Sequence, residues 1–284
     1  MLALLPCAAR AEDFFFDSAG VRIHYRVEGK GEPVLLIHGF AANIEVNWGK
    51  PGILEALARS YQVIAIDNRG HGQSDKPHEA EAYRGQMAED VIRLMDHLKI
   101  RQAQVVGYSM GGFIALKLLD THPERLRSAV VGGAGWNPAA VATFQPMVDK
   151  LAESLEQGQG LGPLAAMLAP AEAASVGGAE GVEAANKTLI ARSDPLALAA
   201  ALRAMFGDQP AEETLRANQV PVLVVVGEMD LMRSWAETLS RTATLVKLLT
   251  IPGANHMSAV TNPRFLAGLQ EFLSAHAAKP RPPE

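Results

Sequence analysis

Hydrophobic and polar positions follow two different periods in the first half of the chain. Residues 21–27 alternate in polarity, as in a strand with one exposed face. Residues 33–37 and 61–66 are nearly continuous apolar runs of strand length, which is typical of strands buried on both faces. Within residues 86–98 the apolar positions recur at helical spacing, at Met87, Val91, Leu94, Met95 and Leu98. Both kinds of element are therefore expected in one domain.

The two patterns alternate along the chain. A first strand is predicted from Phe14, and three further strands and three further helices complete the series, over residues 103–107, 126–131 and 220–226 for strands and residues 51–60, 110–120 and 263–275 for helices. A last strand is predicted over residues 244–251. Buried strands that alternate with helices predict an α/β fold with a mostly parallel sheet and helices on both faces.

Residues 136–218 interrupt this series. They are rich in alanine, are broken by glycine and proline, and contain no convincing strand. We interpret them as a helical cap inserted into a core formed by residues 12–135 and 219–278. The proline-rich residues 279–284 are predicted to be a disordered tail.

The amino terminus has a pattern of its own. Residues 1–11 are short and apolar and end in Ala9-Arg10-Ala11, which matches a signal-peptidase site. If they are the remnant of a signal peptide, the protein is exported to the periplasm or secreted; otherwise a cytoplasmic location is expected. Cys7 is the only cysteine, so no disulfide framework is predicted.

Composition and charge narrow the classes of function. The chain has 284 residues, 48% of them hydrophobic, and a formal net charge of −5 without a basic run. These values disfavour nucleic acid as a partner. No apolar segment approaches the roughly 18 residues that span a bilayer. Neither a dinucleotide-binding nor a P-loop motif occurs, and no cluster has metal-site spacing, so we expect a small-molecule substrate and no cofactor or metal. A monomer or a small homo-oligomer is expected.

The stretch GYSMG, residues 107–111, places a serine where a predicted strand meets a predicted helix. The glycines allow the sharp turn that presents Ser109 at the carboxyl edge of the sheet. A serine hydroxyl is a poor nucleophile unless a base activates it. His256 follows the last predicted strand and is the expected base. Asp230 is the expected orienting carboxylate, with Glu228 as its competitor.

An acyl-transfer site also needs donors for the oxyanion. The backbone amide of Met110 is the first candidate, and the amide of Phe40, after the strand at residues 33–37, is the second. His38 is interpreted as structural. Residues 67–75, DNRGHGQSD, are interpreted as a structural loop, with an open possibility that His71 faces the pocket.

Together these motifs resemble the α/β-hydrolase superfamily. The motifs occur in family order, as HGF at residues 38–40, DNRGHGQSD at 67–75, GYSMGG at 107–112, GEMD at 227–230 and PGANH at 252–256. The resemblance implies an eight-stranded, mostly parallel sheet with a helical cap inserted after the sixth strand. Haloalkane dehalogenases and epoxide hydrolases carry an aspartate at the position of Ser109, so the serine argues against both.

The leading hypothesis is a serine hydrolase of carboxylic esters that works through an acyl-enzyme. An apolar pocket is expected, with its candidate lining residues at Trp48, Tyr108, Trp136, Phe144 and Met205. The alternatives are a C–C bond hydrolase of ring-cleavage diketones and an enol-lactonase or perhydrolase. A non-hydrolytic ligand-binding receptor with the same fold is a further alternative.

Overall fold

The fold is described from a computed structural model. The described residues are 12–162, 186, 191–207 and 209–278. The predicted signal-peptide remnant at residues 1–11 and the predicted tail at residues 279–284 lie outside them, as does part of the predicted cap.

Eight strands form one sheet in the order β1-β2-β4-β3-β5-β6-β7-β8. The strands are β1 Glu12–Ser18, β2 Val21–Glu28, β3 Pro33–Ile37, β4 Gln62–Ile66, β5 Ala103–Tyr108, β6 Leu126–Gly132, β7 Val222–Gly227 and β8 Val246–Ile251. β1 pairs with β2 and β2 with β4 in antiparallel fashion, and the remaining neighbours are parallel. The predicted mostly parallel sheet is therefore confirmed.

The helices are α1 Ile53–Ala58, α2 Gln86–His97, α3 Met110–Thr121, α4 Pro138–Glu156, α5 Pro195–Ala204, α6 Glu212–Arg216, α7 Arg233–Thr242, α8 His256–Ala259 and α9 Pro263–Ala275. The predicted helix over residues 51–60 is shorter, because Gly52 has a positive φ and α1 begins after it. A π-helical turn, Glu45–Gly49, precedes it and was not predicted.

The hydrophobic core has two layers, one on each face of the sheet. Alternate residues of β3 enter opposite layers, since Leu35 packs with residues of α2, α3 and α7, whereas Leu36 packs with residues of α1 and α9. This follows from the two-residue period of side chains along a strand. Burial on both faces explains why the central strands are apolar at nearly every position.

The described part of the chain between β6 and β7 forms helices α4, α5 and α6 and contains no strand. Trp136 donates its indole N–H to the carbonyl of Pro210, at 2.9 Å, which ties the two ends of this segment together. Phe144 of α4 packs edge-on against Trp235 of α7, with ring centroids 5.4 Å apart. The described part of the segment between β6 and β7 thus packs on the same sheet layer as α3 and α7. Its status as a separate cap domain stays a prediction.

Candidate active site

Ser109 occupies a strained turn between β5 and α3. Its φ of 55° and ψ of −116° are unusual for a residue with a side chain. A Cβ added at Gly107 would lie 1.9 Å from the carbonyl oxygen of Gly111, and one added at Gly111 would lie 2.0 Å from the oxygen of Ile37. Both flanking glycines are therefore required sterically, as the sequence motif predicted.

Three side chains from the ends of β5, β7 and β8 form one hydrogen-bonded chain. His256 Nε2 lies 2.9 Å from Ser109 Oγ, and His256 Nδ1 lies 3.0 Å from both carboxylate oxygens of Asp230. Asp230 and His256 are 5% and 4% exposed. Because a carboxylate can only accept, the proton lies on Nδ1, and the lone pair of Nε2 faces the serine hydroxyl.

Glu228, the competitor of Asp230, points elsewhere. It is exposed, and its Oε2 accepts a hydrogen bond from the amide of Gly253 at 2.8 Å. This bond steadies the turn that leads into the His256 segment. Of the two carboxylates, Asp230 is thus the one that contacts His256.

The backbone around Phe40 approaches Ser109 closely. A Cβ added at Gly39 would lie 3.2 Å from the Cβ of Ser109. Met110 is the first residue of α3, so its amide has no partner within that helix. Within the described part of the chain, the amides of Phe40 and Met110 donate no hydrogen bond to another protein group. Their role as donors to an oxyanion stays a prediction.

His38 orients the peptide that carries the Phe40 amide. Its Nδ1 lies 2.7 Å from the carbonyl oxygen of Gly39, and its Nε2 accepts from the amide of Asn68 at 3.0 Å. The Gly39 carbonyl and the Phe40 N–H belong to one trans peptide and point in opposite directions. Burial lowers the pKa of His38, against the opposing effects of Asp67 and the Gly39 carbonyl, so the ring is neutral. The interpretation of His38 as a structural residue agrees with these contacts.

Asn47 is a residue that sequence reasoning missed. It lies on the π-helical turn, is buried, and its Oδ1 accepts from the amide of Gly39 at 2.8 Å. Asn47 belongs to no recognisable sequence motif. Only the fold shows that it binds the backbone of residues 38–40. π-helical turns are frequent at functional sites.

The loop at residues 67–75 is held by buried hydrogen bonds. Asp67 accepts from His24 Nδ1 at 2.8 Å and from the amides of Ile44 and Gln73 at 2.9 Å each. Burial alone would raise the pKa of Asp67, but the hydrogen bond from His24 and its other partners lower it overall. A structural role for this loop agrees with these contacts.

His71, for which the sequence allows a position facing the pocket, is 3% exposed. Its Nδ1 lies 3.0 Å from the carbonyl oxygen of Arg69, and its ring packs edge-on against Phe40 with centroids 5.8 Å apart. It also lines an open cavity of about 470 Å³ on the side of the Ala41–Val46 loop. That cavity carries both signs of charge, since Arg26, Lys76 and Arg192 line it together with Glu45 and Asp67.

Three of the five expected lining residues, Trp48, Tyr108 and Trp136, are buried in the core. Trp48 is fully buried in the layer with α1 and α9, and Tyr108 is buried in the same layer beneath His256. Trp136 and Phe144 pack in the layer with α3 and α7. Met205 lines a small cavity of about 40 Å³ beside Met110 and Phe113. Trp48, Tyr108 and Trp136 line neither this cavity nor the one beside His71.

In the described part of the chain, no group of histidine, cysteine or carboxylate side chains has a metal-site arrangement. No helix there is long and apolar enough to cross a membrane.

Comparison with known proteins adds three likenesses. The chain is 43% identical over 127 residues to the dihydrolipoyllysine-residue acetyltransferase component of an acetoin cleaving system from Cupriavidus necator. It is 38% identical over 119 residues to a 2-hydroxymuconate semialdehyde hydrolase from a Pseudomonas species. These stretches cover 44% and 41% of this chain but only 33% and 41% of the relatives, so the chain matches less than half the length of each.

A solved structure of an N-acyl homoserine lactone degrading enzyme superposes with a TM-score of 0.67 at 27% identity. The superposition covers 91% of this chain and 99% of that structure. The sequence profile of the alpha/beta hydrolase fold family matches residues 32–263, which include Ser109, Asp230 and His256. The chain therefore belongs to the alpha/beta hydrolase fold family.

Proposed function

We propose that the protein is a serine hydrolase that cleaves carboxylic esters through an acyl-enzyme intermediate. The observation that carries the proposal is the hydrogen-bonded chain from Ser109 Oγ through His256 to Asp230, at distances of 2.9 and 3.0 Å. In a purely structural turn, neither the strained backbone of Ser109 nor the lone pair of Nε2 facing its hydroxyl would be needed.

The proposed acylation begins with His256 as general base. Its Nε2 takes the proton of Ser109 Oγ while the oxygen attacks the ester carbonyl, and Asp230 stabilises the resulting imidazolium through Nδ1. The carbonyl π-electrons move onto oxygen, and the amides of Phe40 and Met110 receive that charge. Collapse of the tetrahedral intermediate expels the alcohol, to which His256 returns the proton.

Deacylation repeats these steps with water. His256 removes a proton from the water molecule, which attacks the acyl carbon, and the second tetrahedral intermediate expels Ser109 Oγ. The released acid and the protonated serine complete the cycle. No cofactor or metal is needed to balance either half-reaction.

The test is hydrolysis of p-nitrophenyl esters from acetate to decanoate by the wild type, by Ser109→Ala and by Ser258→Ala. Ser258 belongs to the same α8 segment as His256 but binds Asn255, so its variant controls for loss of a nearby hydroxyl. We expect a maximum at one acyl length, loss in Ser109→Ala by at least about 10³-fold, and retention in Ser258→Ala. No turnover of any ester by the folded wild type would reject the proposal.

The second candidate is a C–C bond hydrolase of ring-cleavage diketones. The likeness to a 2-hydroxymuconate semialdehyde hydrolase favours it, and such a reaction would use the same serine, histidine and aspartate. An enol-lactone or an N-acyl homoserine lactone is a third substrate class, favoured by the lactone-degrading structural neighbour. Turnover of a vinylogous diketone or a lactone with a kcat/KM at least about tenfold above that of the best ester would move the assignment to that class.

A further inference from the structure

Tyr108 stands directly before the candidate nucleophile yet contacts the histidine, 148 positions away. Its phenolic O–H donates to the backbone carbonyl of His256, with an oxygen–oxygen distance of 2.5 Å. Its ring centroid lies 5.6 Å from that of His256 and 5.7 Å from that of Phe265. Tyr108 is the last residue of β5, and Ser109 directly follows it. Ser109 is the candidate nucleophile, and Tyr108 binds the backbone of the candidate base.

The segment that carries His256 is also held by its own cap. α8 is a helix of four residues between β8 and α9, and Asn255 caps it by accepting from the amides of Met257 and Ser258. These bonds fix the amide end of the turn. The bond from Tyr108 fixes the carbonyl of His256 itself, and hence its position relative to β5.

Gly133, directly after β6, packs against the rings of Tyr108 and His256. Gly133 has a φ of 55°, and a Cβ there would lie 3.0 Å from Cζ of Tyr108 and 3.1 Å from Cε1 of His256. A side chain at this position would therefore press on the phenol and the imidazole at once. The absence of a side chain at Gly133 leaves the two rings in their observed arrangement.

The phenol is a donor over the whole range of working pH. Burial raises the pKa of Tyr108 well above its usual value, and the charge of Asp230 adds to this effect, against a backbone hydrogen bond from Val260. The O–H is thus retained. A buried carbonyl that accepts it would lose its partner if the hydroxyl were removed.

We propose that Tyr108 is a positioning residue, which through its hydrogen bond to the His256 carbonyl holds the imidazole at bonding distance from Ser109. The proposal rests on the proposed function of the Ser109–His256 pair. It assigns to Tyr108 a role in the rate of proton transfer and none in substrate binding, because its side chain is buried in the core layer with Phe265.

The test compares Tyr108→Phe with Tyr83→Phe. Tyr83 is a matched control, because it is also buried and its O–H donates to a backbone carbonyl, that of Pro77, at 2.6 Å. The first readout is the rate at which a fluorophosphonate labels Ser109, followed by mass spectrometry. The second is kcat and KM on the best p-nitrophenyl ester. Thermal unfolding of each variant reports the loss of stability separately.

We expect Tyr108→Phe to lower the labelling rate and kcat about tenfold, since small misplacements of reacting groups carry costs of this order, with KM changed by less than about twofold. The loss should persist at every pH, because it reflects geometry and not protonation. Tyr83→Phe should be labelled at nearly the wild-type rate, even if its unfolding temperature falls by as much as that of Tyr108→Phe.

Equal losses of labelling in both variants, or none in Tyr108→Phe, would overturn the positioning role while leaving the proposed function intact. If the folded wild type is not labelled at all, the reactive serine is absent and both proposals fail. A rise in KM without a fall in kcat would instead place Tyr108 in substrate binding, against the proposal.

Discussion

Asp230 and Glu228 are two residues apart after β7, yet they have different surroundings. Asp230 is buried, and besides His256 it accepts a hydrogen bond from the amide of Met232 at 2.9 Å. Glu228 is exposed and binds the amide of Gly253. The two carboxylates therefore have different partners, and only Asp230 contacts His256.

Replacing Asp230 by asparagine should keep the shape of the site and lower kcat by about 10³- to 10⁴-fold, because the amide no longer fixes the tautomer of His256 or stabilises the imidazolium. The measurement is kcat on the best p-nitrophenyl ester. Glu228→Gln is the matched control and should stay within about threefold of the wild type. A similar loss in both variants would contradict the role of Asp230.

Some site residues could be predicted from the sequence and others could not. Ser109, Asp230 and His256 could be placed from motifs at the ends of predicted strands, because the carboxyl ends of parallel strands meet at one edge. The layer that Trp48 and Tyr108 enter could not be predicted, because an aromatic residue type does not reveal which face of the sheet it packs against. Asn47 was missed because its role depends on a π-helical turn that has no sequence signature.

At the scale of elements, polar contacts of Asp194 cap α5 and join it to the segment between β4 and α2. Asp194 directly precedes α5 and accepts from the amides of Leu196 and Ala197 at 3.1 Å. Its carboxylate also lies 3.0 Å from Nε2 of His78, which belongs to the segment between β4 and α2. The His78–Asp194 pair is substantially exposed, so its ionic contribution is small. The helix cap should therefore be the larger effect of the two.

Asp194→Ala should lower the free energy of unfolding by about 1 kcal/mol, because two amides of α5 lose their cap. Asp194→Asn retains a capping oxygen and loses only the charge, so it should lose less than half as much. Urea unfolding of the three proteins measures both. Equal losses would assign the effect to the ion pair with His78.

The bounds of the strands were predictable to within two residues, because the apolar runs are short and end in glycine or charged residues. The strand order, in which β4 lies between β2 and β3, was not predictable from periodicity, since it depends on crossovers between strands that are distant in sequence. The alternation of strands and helices predicted the mostly parallel sheet, and the resemblance of the motifs to a known superfamily supplied its number of eight strands.

At the scale of the whole molecule, two neighbouring buried histidines, His38 and His71, couple stability to pH. Burial, with a contribution from neighbouring His38, lowers the pKa of His71 to about 3, and burial lowers the pKa of His38. An unfolded histidine binds a proton with a pKa of about 6.5, whereas these two histidines stay neutral in the folded protein below that pH. Between the folded and the unfolded pKa, the unfolded chain therefore holds more protons than the folded one. Stability therefore rises with pH, and the contribution is lost as pH falls below about 6.5.

The free energy of unfolding should fall as pH is lowered from about 6.5 to about 4.5, a window above the titration of most carboxylates. Each buried histidine contributes at most about 1.4 kcal/mol per pH unit to this slope. In His71→Phe the slope should decrease by up to that amount, measured by urea unfolding at several pH values. An unchanged slope in the variant would contradict a neutral, buried His71.

The most direct test of the central claim is rapid quenching of the enzyme with a p-nitrophenyl ester, followed by mass spectrometry of the peptide that contains residue 109. The account predicts an acyl group on Ser109 during turnover, and neither adduct nor turnover in Ser109→Ala. Undiminished hydrolysis by Ser109→Ala, or an acyl group on a different residue, would contradict it.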